Sequence, residues 1–254
     1  MSQDQRQRFI LREVDTKGNI LVSEIVEKFS VSAMTARRDI GKLDRDRLVI
    51  RTHGGAVRSD GLTNLFTFSR RMDCAEEKKT AISQRAADFV NDHDTIFIDC
   101  GTTLFRMCHY ISRRKGVKVI TNSIAVATEL IKYTELKGIL IGGEIIPERR
   151  AVFGPTASRQ ILEYHMNTAF IGTEGISIKH GLTAYDNHES NITKAAAESA
   201  DRVCLLCDSS KVEQDSFYKF LSLDHLNHMI TDSDLHPSIV RRYQEHKVEI
   251  ITVD

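Results

Sequence analysis

Residues Ser23 to Lys42, SEIVEKFSVSAMTARRDIGK, read as two short helices joined by a tight polar turn. Ser23 is a suitable N-cap for the first helix, whose apolar side is Ile25, Val26 and Phe29. Ser30-Val31-Ser32 forms the turn, and Ser32 caps the second helix. On that second helix Ala36, Ile40 and Leu43 recur at helical spacing and share one buried face. The opposite face carries Met34, Arg38, Gly41, Lys42 and Arg45, with Thr35 and Arg37 on its flanks. A short helix with an apolar back and a basic, hydroxyl-bearing front suits the DNA major groove, which admits one α-helix. An amphipathic pair from an ordinary all-α core would also turn Arg and Lys outward, so the pattern needs support from its surroundings.

The flanking residues supply it. Leu48 to Thr52 and Ala56 to Arg58 are β-prone runs around His53-Gly54-Gly55, which predicts a small hairpin, the wing of a winged helix. Gln5 to Asp15 reads as the first helix of the trio, with Ile10, Leu11 and Val14 inward and Gly18 ending it. Residues 1–58 hold 12 Lys or Arg against 8 Asp or Glu, while the whole chain is formally neutral. A basic head on an acidic body fits phosphate contact by one end of the molecule. The surface expected to meet double-stranded DNA is therefore Ser32, Met34, Thr35, Arg37, Arg38 and Lys42 of the helix, with Arg51 and His53 of the wing.

The chain of 254 residues has room for one large or two modest domains, and its composition, 41% hydrophobic and 28% charged, is that of a globular protein. No apolar run approaches the ~18 residues of a membrane span. The first residues, MSQDQRQRF, lack the apolar segment of a secretory signal. Five cysteines without framework spacing favour a reducing, cytoplasmic setting. Cys204-x-x-Cys207 lies in an apolar run that reads as a buried strand, where positions three apart face opposite ways and cannot share a metal. The pattern calls for no metal and no cofactor.

Residues 59–76 read as linker, with Leu62, Leu65, Phe66 and Phe68 as docking points. From Glu77 onward, helices and short apolar strands alternate. Strands are expected at 95–99, 117–121, 138–142, 168–172, 203–208, 228–232 and 248–253, and helices at 77–90, 103–113, 123–132, 155–164, 187–200 and 237–245. That alternation predicts an α/β domain over 77–254, a mostly parallel sheet covered on both faces. Ligands of such sheets bind beyond the carboxyl ends of the strands. The loops there are rich in Gly, Thr and Ser: Asp99-Cys100-Gly101-Thr102-Thr103, Thr121-Asn122-Ser123, Gly142-Gly143-Glu144, Gly172-Thr173-Glu174-Gly175 and Asp208-Ser209-Ser210-Lys211. Such residues make oxyanion cradles, and they also serve as plain turns and caps. No dinucleotide or P-loop fingerprint is present.

These residues resemble the bacterial DeoR-type transcriptional regulators. The N-terminal match is Val31, Ser32, Thr35, Arg37, Arg38, Asp39, Ile40 and Leu43, followed by His53, Gly54 and Gly55. Ala36 departs from the pattern, which usually has a larger aliphatic residue there. The C-terminal match runs over roughly residues 77–232, and its marks are Asp99, Gly101, Thr102 and Thr103; Thr121, Asn122 and Ser123; and Gly142 with Gly143. It continues through Gly175, Ile176, Gly181, Leu182 and Thr183; Glu189 with Lys194; and Asp208, Ser210 and Lys211, with Val212 in place of the usual Phe.

The resemblance implies an N-terminal winged helix-turn-helix at 1–58 and a C-terminal domain similar to the sugar-phosphate isomerase and CoA-transferase fold. It further implies a sensor for a phosphorylated sugar or related metabolite, bound by Asp99, Gly101, Thr102, Thr103, Thr121, Asn122, Ser123, Gly142, Gly143, Gly175, Glu189, Lys194, Asp208 and Lys211. The expected function is a repressor of a carbohydrate-utilisation operon, acting as a homodimer or tetramer on operator DNA. A sugar-phosphate isomerase carrying a DNA-binding head is the rival, since Asp99, Glu189, Asp208 and Lys211 supply acid–base groups. An architectural DNA binder would need no such loops.

Overall fold

The computed structural model describes residues 3–45, 48–52, 54–58 and 68–254. The chain divides into two compact units, 1–70 and 71–254. In the first, helices Gln3–Lys17 (α1), Val22–Phe29 (α2) and Ala33–Arg45 (α3) accompany strands Asn19–Leu21 (β1), Val49–Arg51 (β2) and Gly55–Arg58 (β3). The expected apolar faces close on one another, with Ile10, Val14, Ile25, Ala36, Ile40 and Leu43 all buried. Phe9 stands edge-on to Phe29 with ring centroids 5.0 Å apart. Ser32 caps α3 as expected, its hydroxyl accepting the Thr35 N–H at 3.1 Å.

Two local expectations need correction. Helix α2 begins at Val22 rather than after Ser23; the Glu24 carboxylate reaches back to accept the Leu21 N–H at 2.6 Å. That reach satisfies an otherwise orphaned donor of the first turn. The wing also has a third strand. β1 pairs antiparallel with β3, giving the order β1-β3-β2. Glycine at 55 is what lets those strands meet, because a Cβ there would lie 2.0 Å from the Ile20 carbonyl oxygen.

The linker expected at 59–76 is helical at its end: Phe68–Asp73 is a short helix, and Glu76–Ala87 follows. Leu62, Leu65 and Phe66 lie outside the described residues; Phe68 is buried. The larger unit is built on a seven-stranded sheet of order β15-β14-β12-β9-β4-β5-β6, parallel throughout. Its strands are Thr95–Ile98 (β4), Lys118–Thr121 (β5), Lys137–Leu140 (β6), Met166–Ile171 (β9), Ala200–Leu206 (β12), His228–Asp232 (β14) and Glu249–Val253 (β15).

Alternation along the strands feeds two cores, one on each face. Phe97, Ala169, Ile171, Val203, Leu205 and Met229 enter one, packed by helices Pro155–Ile161, Asn187–Glu198 and Pro237–Glu245. Ile96, Ile98, Phe170, Leu206 and Ile230 enter the other, beneath Glu76–Ala87, Thr102–Ile111 and Ile124–Leu130. Cys204 and Cys207 fall into different cores, as strand alternation requires.

Two features were not expected from the sequence. Strands Glu144–Ile146 (β7) and Ala151–Phe153 (β8) form a hairpin around the one-turn helix Pro147–Arg149. Strands Gly175–Ser177 (β10), Gly181–Ala184 (β11) and Tyr218–Leu221 (β13) form a small antiparallel sheet. Among the described residues no helix is long and apolar enough to cross a membrane.

Candidate functional site

Helix α3 is two-faced. Met34, Arg37, Arg38 and Lys42 are exposed, Met34 by 78%, and Thr35 is half-buried beside the capping Ser32. Arg51 of β2 is exposed, and its N–H is held by the Asp44 carboxylate at 2.9 Å. Arg37, Asp44, Arg51 and Thr52 border one shallow depression. The structure thus brings seven of the eight expected DNA-facing residues onto or beside this helix, and the eighth, His53, lies outside the described residues. The sequence reading missed what fixes the helix from behind. Asp39 is wholly buried and pairs with Arg6 Nε at 2.7 Å, while Gln3 Nε2 donates to its other oxygen at 3.0 Å. A buried carboxylate needs such partners, so the acidic residue inside an otherwise basic stretch was the available signal.

In the larger unit the functional side chains gather at one place in the sheet. After β4 the chain passes to β5 and β6 on one side, then returns to lay β9 on the other side of β4. A crevice opens beyond the carboxyl ends of β4 and β9, where such a reversal leaves the following loops splayed apart. It is a small cleft of about 40 Å3, with Asp99, Gly101, Gly172, Glu174, Glu189 and Thr193 among its walls.

Asp99 is buried and spent on fixed donors: the Cys100 N–H at 2.7 Å, the Thr193 hydroxyl at 3.2 Å and the Gly172 N–H at 3.4 Å. Burial still pushes its carboxyl above the ordinary range. Burial likewise pushes Glu189 up to about 7, helped by the nearby Glu174 and Asp99 and opposed by Arg149 and Arg71. Glu174 goes the other way. Its burial would raise it, but Arg71, Arg149 and Lys211 together hold it below its usual value.

Arg149 joins the two glutamates. Both its terminal nitrogens lie 3.2 Å from Glu174 Oε1, one of them also donates to Glu189 Oε2 at 3.0 Å, and its Nε pairs with Glu189 Oε1. Arg71 Nη1 stands 3.6 Å from Glu174 Oε1 and Lys211 Nζ 3.8 Å from Oε2. Arg149 comes from the one-turn helix between β7 and β8, and Arg71 from the short helix Phe68–Asp73. Neither was singled out from the sequence.

The remaining expected effector residues divide. Asp99, Gly101 and Glu189 line the crevice, and Lys211 adjoins it through Glu174. Thr102 and Thr103 are buried in the first turn of their helix, where the Thr103 carbonyl accepts the Ser83 hydroxyl at 2.6 Å. Thr121 and Ser123 are wholly buried and serve the backbone: Thr121 Oγ1 donates to the Ile98 carbonyl at 2.6 Å, and Ser123 caps its helix at Val126 N. Asn122 is buried and donates to the Val152 carbonyl at 3.3 Å.

Gly142 and Gly143 enter the β7–β8 hairpin, where a Cβ on Gly143 would meet the Phe153 carbonyl oxygen at 2.5 Å. Gly175 abuts the Gln214 backbone in the small sheet. Asp208 caps the turn Ser209–Lys211. Lys194 is not brought to the crevice: it is exposed and lies 3.9 Å from Glu198 on its own helix. Ala36 fills the α3 core position without exposure, and Val212 is buried outside the crevice lining.

Residues 6–61 match the DeoR-like helix-turn-helix domain, and residues 75–233 match the DeoR C terminal sensor domain. The chain belongs to the DeoR family of transcriptional regulators. Among DeoR-family relatives, it is 32% identical to the uncharacterized HTH-type transcriptional regulator YulB of Bacillus subtilis, over 98% of this chain and 96% of that one. It is 28% identical to the glycerol-3-phosphate regulon repressor of Escherichia coli, over 98% of this chain and 99% of that one. Among solved structures, ribose 5-phosphate isomerase from Plasmodium falciparum aligns with 53% of this chain and 52% of its own, at 20% identity and a TM-score of 0.39.

Proposed function

We propose that this DeoR-family regulator is a cytoplasmic repressor of a carbohydrate-utilisation operon, released from double-stranded operator DNA by a phosphorylated sugar or related metabolite. The observation that carries the sensing half is the crevice at the sheet reversal, where Arg71, Arg149 and Lys211 converge on one carboxylate. A site with that charge suits an anionic group, and the carboxylates around it suit hydroxyls. A full-length relative named for the glycerol-3-phosphate regulon supports a phosphorylated ligand of small size. On the DNA half, Ser32, Met34, Thr35, Arg37, Arg38 and Lys42 read base edges and phosphates from α3 and its cap, and Arg51 of β2 and His53 add to that contact.

The protein acts as a homodimer or tetramer assembled through the larger unit. One winged helix covers little DNA, and symmetric pairing doubles the contact. The larger unit exposes Ile131, Ile145, Leu162, Tyr185 and Phe217, apolar groups that such assembly would cover. It works as a sensor rather than an isomerase: Asp99 is occupied by three fixed donors, which leaves it poorly placed to take a proton from substrate.

The test joins two measurements on the full chain. A thermal-shift screen of phosphorylated pentoses, hexoses and glycerol identifies the ligand, since binding to the native state raises the melting temperature. The stabilising compound is then titrated into the operator complex. Release of DNA without turnover of the compound supports the reading; turnover, or stabilisation with unchanged operator affinity, overturns it.

A further inference from the structure

The contacts in the crevice are of two kinds. Arg149 meets Glu189 in ordinary charge-assisted hydrogen bonds, one of them at 3.0 Å. Glu174, by contrast, is shared among three cations: Arg149 donates to it twice at 3.2 Å, while Arg71 and Lys211 stand 3.6 Å and 3.8 Å away. Strong pairs of this type lie at about 2.7–2.9 Å. Both terminal nitrogens of Arg149 bear on a single oxygen of Glu174, and Lys211 stands 3.8 Å from the other. Two oxygens in a plane under-fill a frame made by three cations. A tetrahedral anion offers an oxygen to each.

We propose that Glu174 is an internal stand-in for the effector's phosphate, displaced when that phosphate binds, so that its carboxylate sets the site's selectivity for a dianion; this rests on the crevice being the effector site. The exchange sets two negative charges in place of one against the same three cations. A singly charged or neutral sugar makes no stronger claim on them than the carboxylate it would have to displace, and leaves Glu174 where it is. Glu174 sits on the loop after β9 between Gly172 and Gly175, outside any strand, its own N–H donating to the Thr183 carbonyl at 3.2 Å.

The probe is inorganic phosphate, titrated by calorimetry into the full-length parent, Glu174→Gln and Lys211→Ala at a pH where phosphate is a dianion. Removing the competing carboxylate should tighten phosphate binding by about tenfold, and removing the Lys211 ammonium should weaken it by a similar factor. If Lys211→Ala weakens binding while Glu174→Gln leaves it unchanged, the displacement idea falls and the crevice reading stands. If neither the parent nor Glu174→Gln binds phosphate, both fall. Hydrogen exchange on the parent gives a second readout that needs no variant. Phosphate should speed exchange over residues 172–175 as the Glu174 side chain is released, and unchanged or slower exchange there would overturn the proposal.

Discussion

Glu189→Gln turns the crevice into a measurable stability term. The Glu189 carboxyl sits at about 7 in the folded protein against an ordinary 4.5. Across that window the folded chain holds a proton that the unfolded chain has released. Folding is therefore linked to proton uptake, and stability must fall as pH rises from the lower value to the upper. At 1.36 kcal/mol per pH unit the full loss is roughly 3 kcal/mol, of which about 2.5 kcal/mol falls between about pH 5 and about pH 8. Glutamine cannot titrate. It also forfeits part of the Arg149 pairing, but that offset does not vary with pH. The difference in unfolding free energy, parent minus variant, should thus decline by about 2.5 kcal/mol over this range. Calorimetry or circular dichroism in denaturant, repeated at several pH values, measures it; the chain has no tryptophan to report by fluorescence. A difference that stays flat, or one that grows with pH, would refute the assignment of the raised carboxyl to Glu189.

Arg38→Ala and Arg37→Ala should each lose about 1–3 kcal/mol of operator affinity in gel shift, with the melting temperature unchanged because both side chains are exposed. Asp39→Asn should lower the stability of the helix-turn-helix by about 3–5 kcal/mol, since it removes the buried charge that faces the Arg6 guanidinium; Arg6→Met with Asp39→Leu should recover most of that in thermal melts. Gly181→Ala should cost about 1–3 kcal/mol, because Gly181 has φ +71° and a Cβ there would lie 2.3 Å from the Leu221 carbonyl oxygen; equal stability in urea titration would contradict this. Lys211→Ala should keep operator binding but need about tenfold to a hundredfold more effector for release, read by titrating ligand against the DNA complex.

The central sheet is legible in the sequence because strands buried on both faces must be continuously apolar, as Ile96–Ile98 and Val203–Leu206 are. Strands Gly175–Ser177 and Gly181–Ala184 are not, since three or four residues show no period and Tyr218–Leu221, which pairs with the second of them, comes much later in the chain. The strand-end loops were found, yet their hydroxyls were over-read. Thr121 and Ser123 stand where an anion cradle would, but helix N-termini and strand edges claim those oxygens first. Arg71 and Arg149 escaped notice for a different reason. One follows a stretch that reads as linker and the other sits in a Pro-Glu-Arg turn; each gains meaning only beside Glu174, which neither neighbours in sequence.

Arg71 is the first residue of the larger unit and also part of the crevice wall. Its carbonyl accepts from the Lys79 ammonium and, at 3.4 Å, from the Thr102 hydroxyl, so backbone and guanidinium are both moored there. The crevice wall therefore reaches the very residue at which the larger unit begins. Whatever loosens or tightens the grip on the Arg71 guanidinium acts directly on the N-terminal margin of that unit, with no need of the sheet as intermediary.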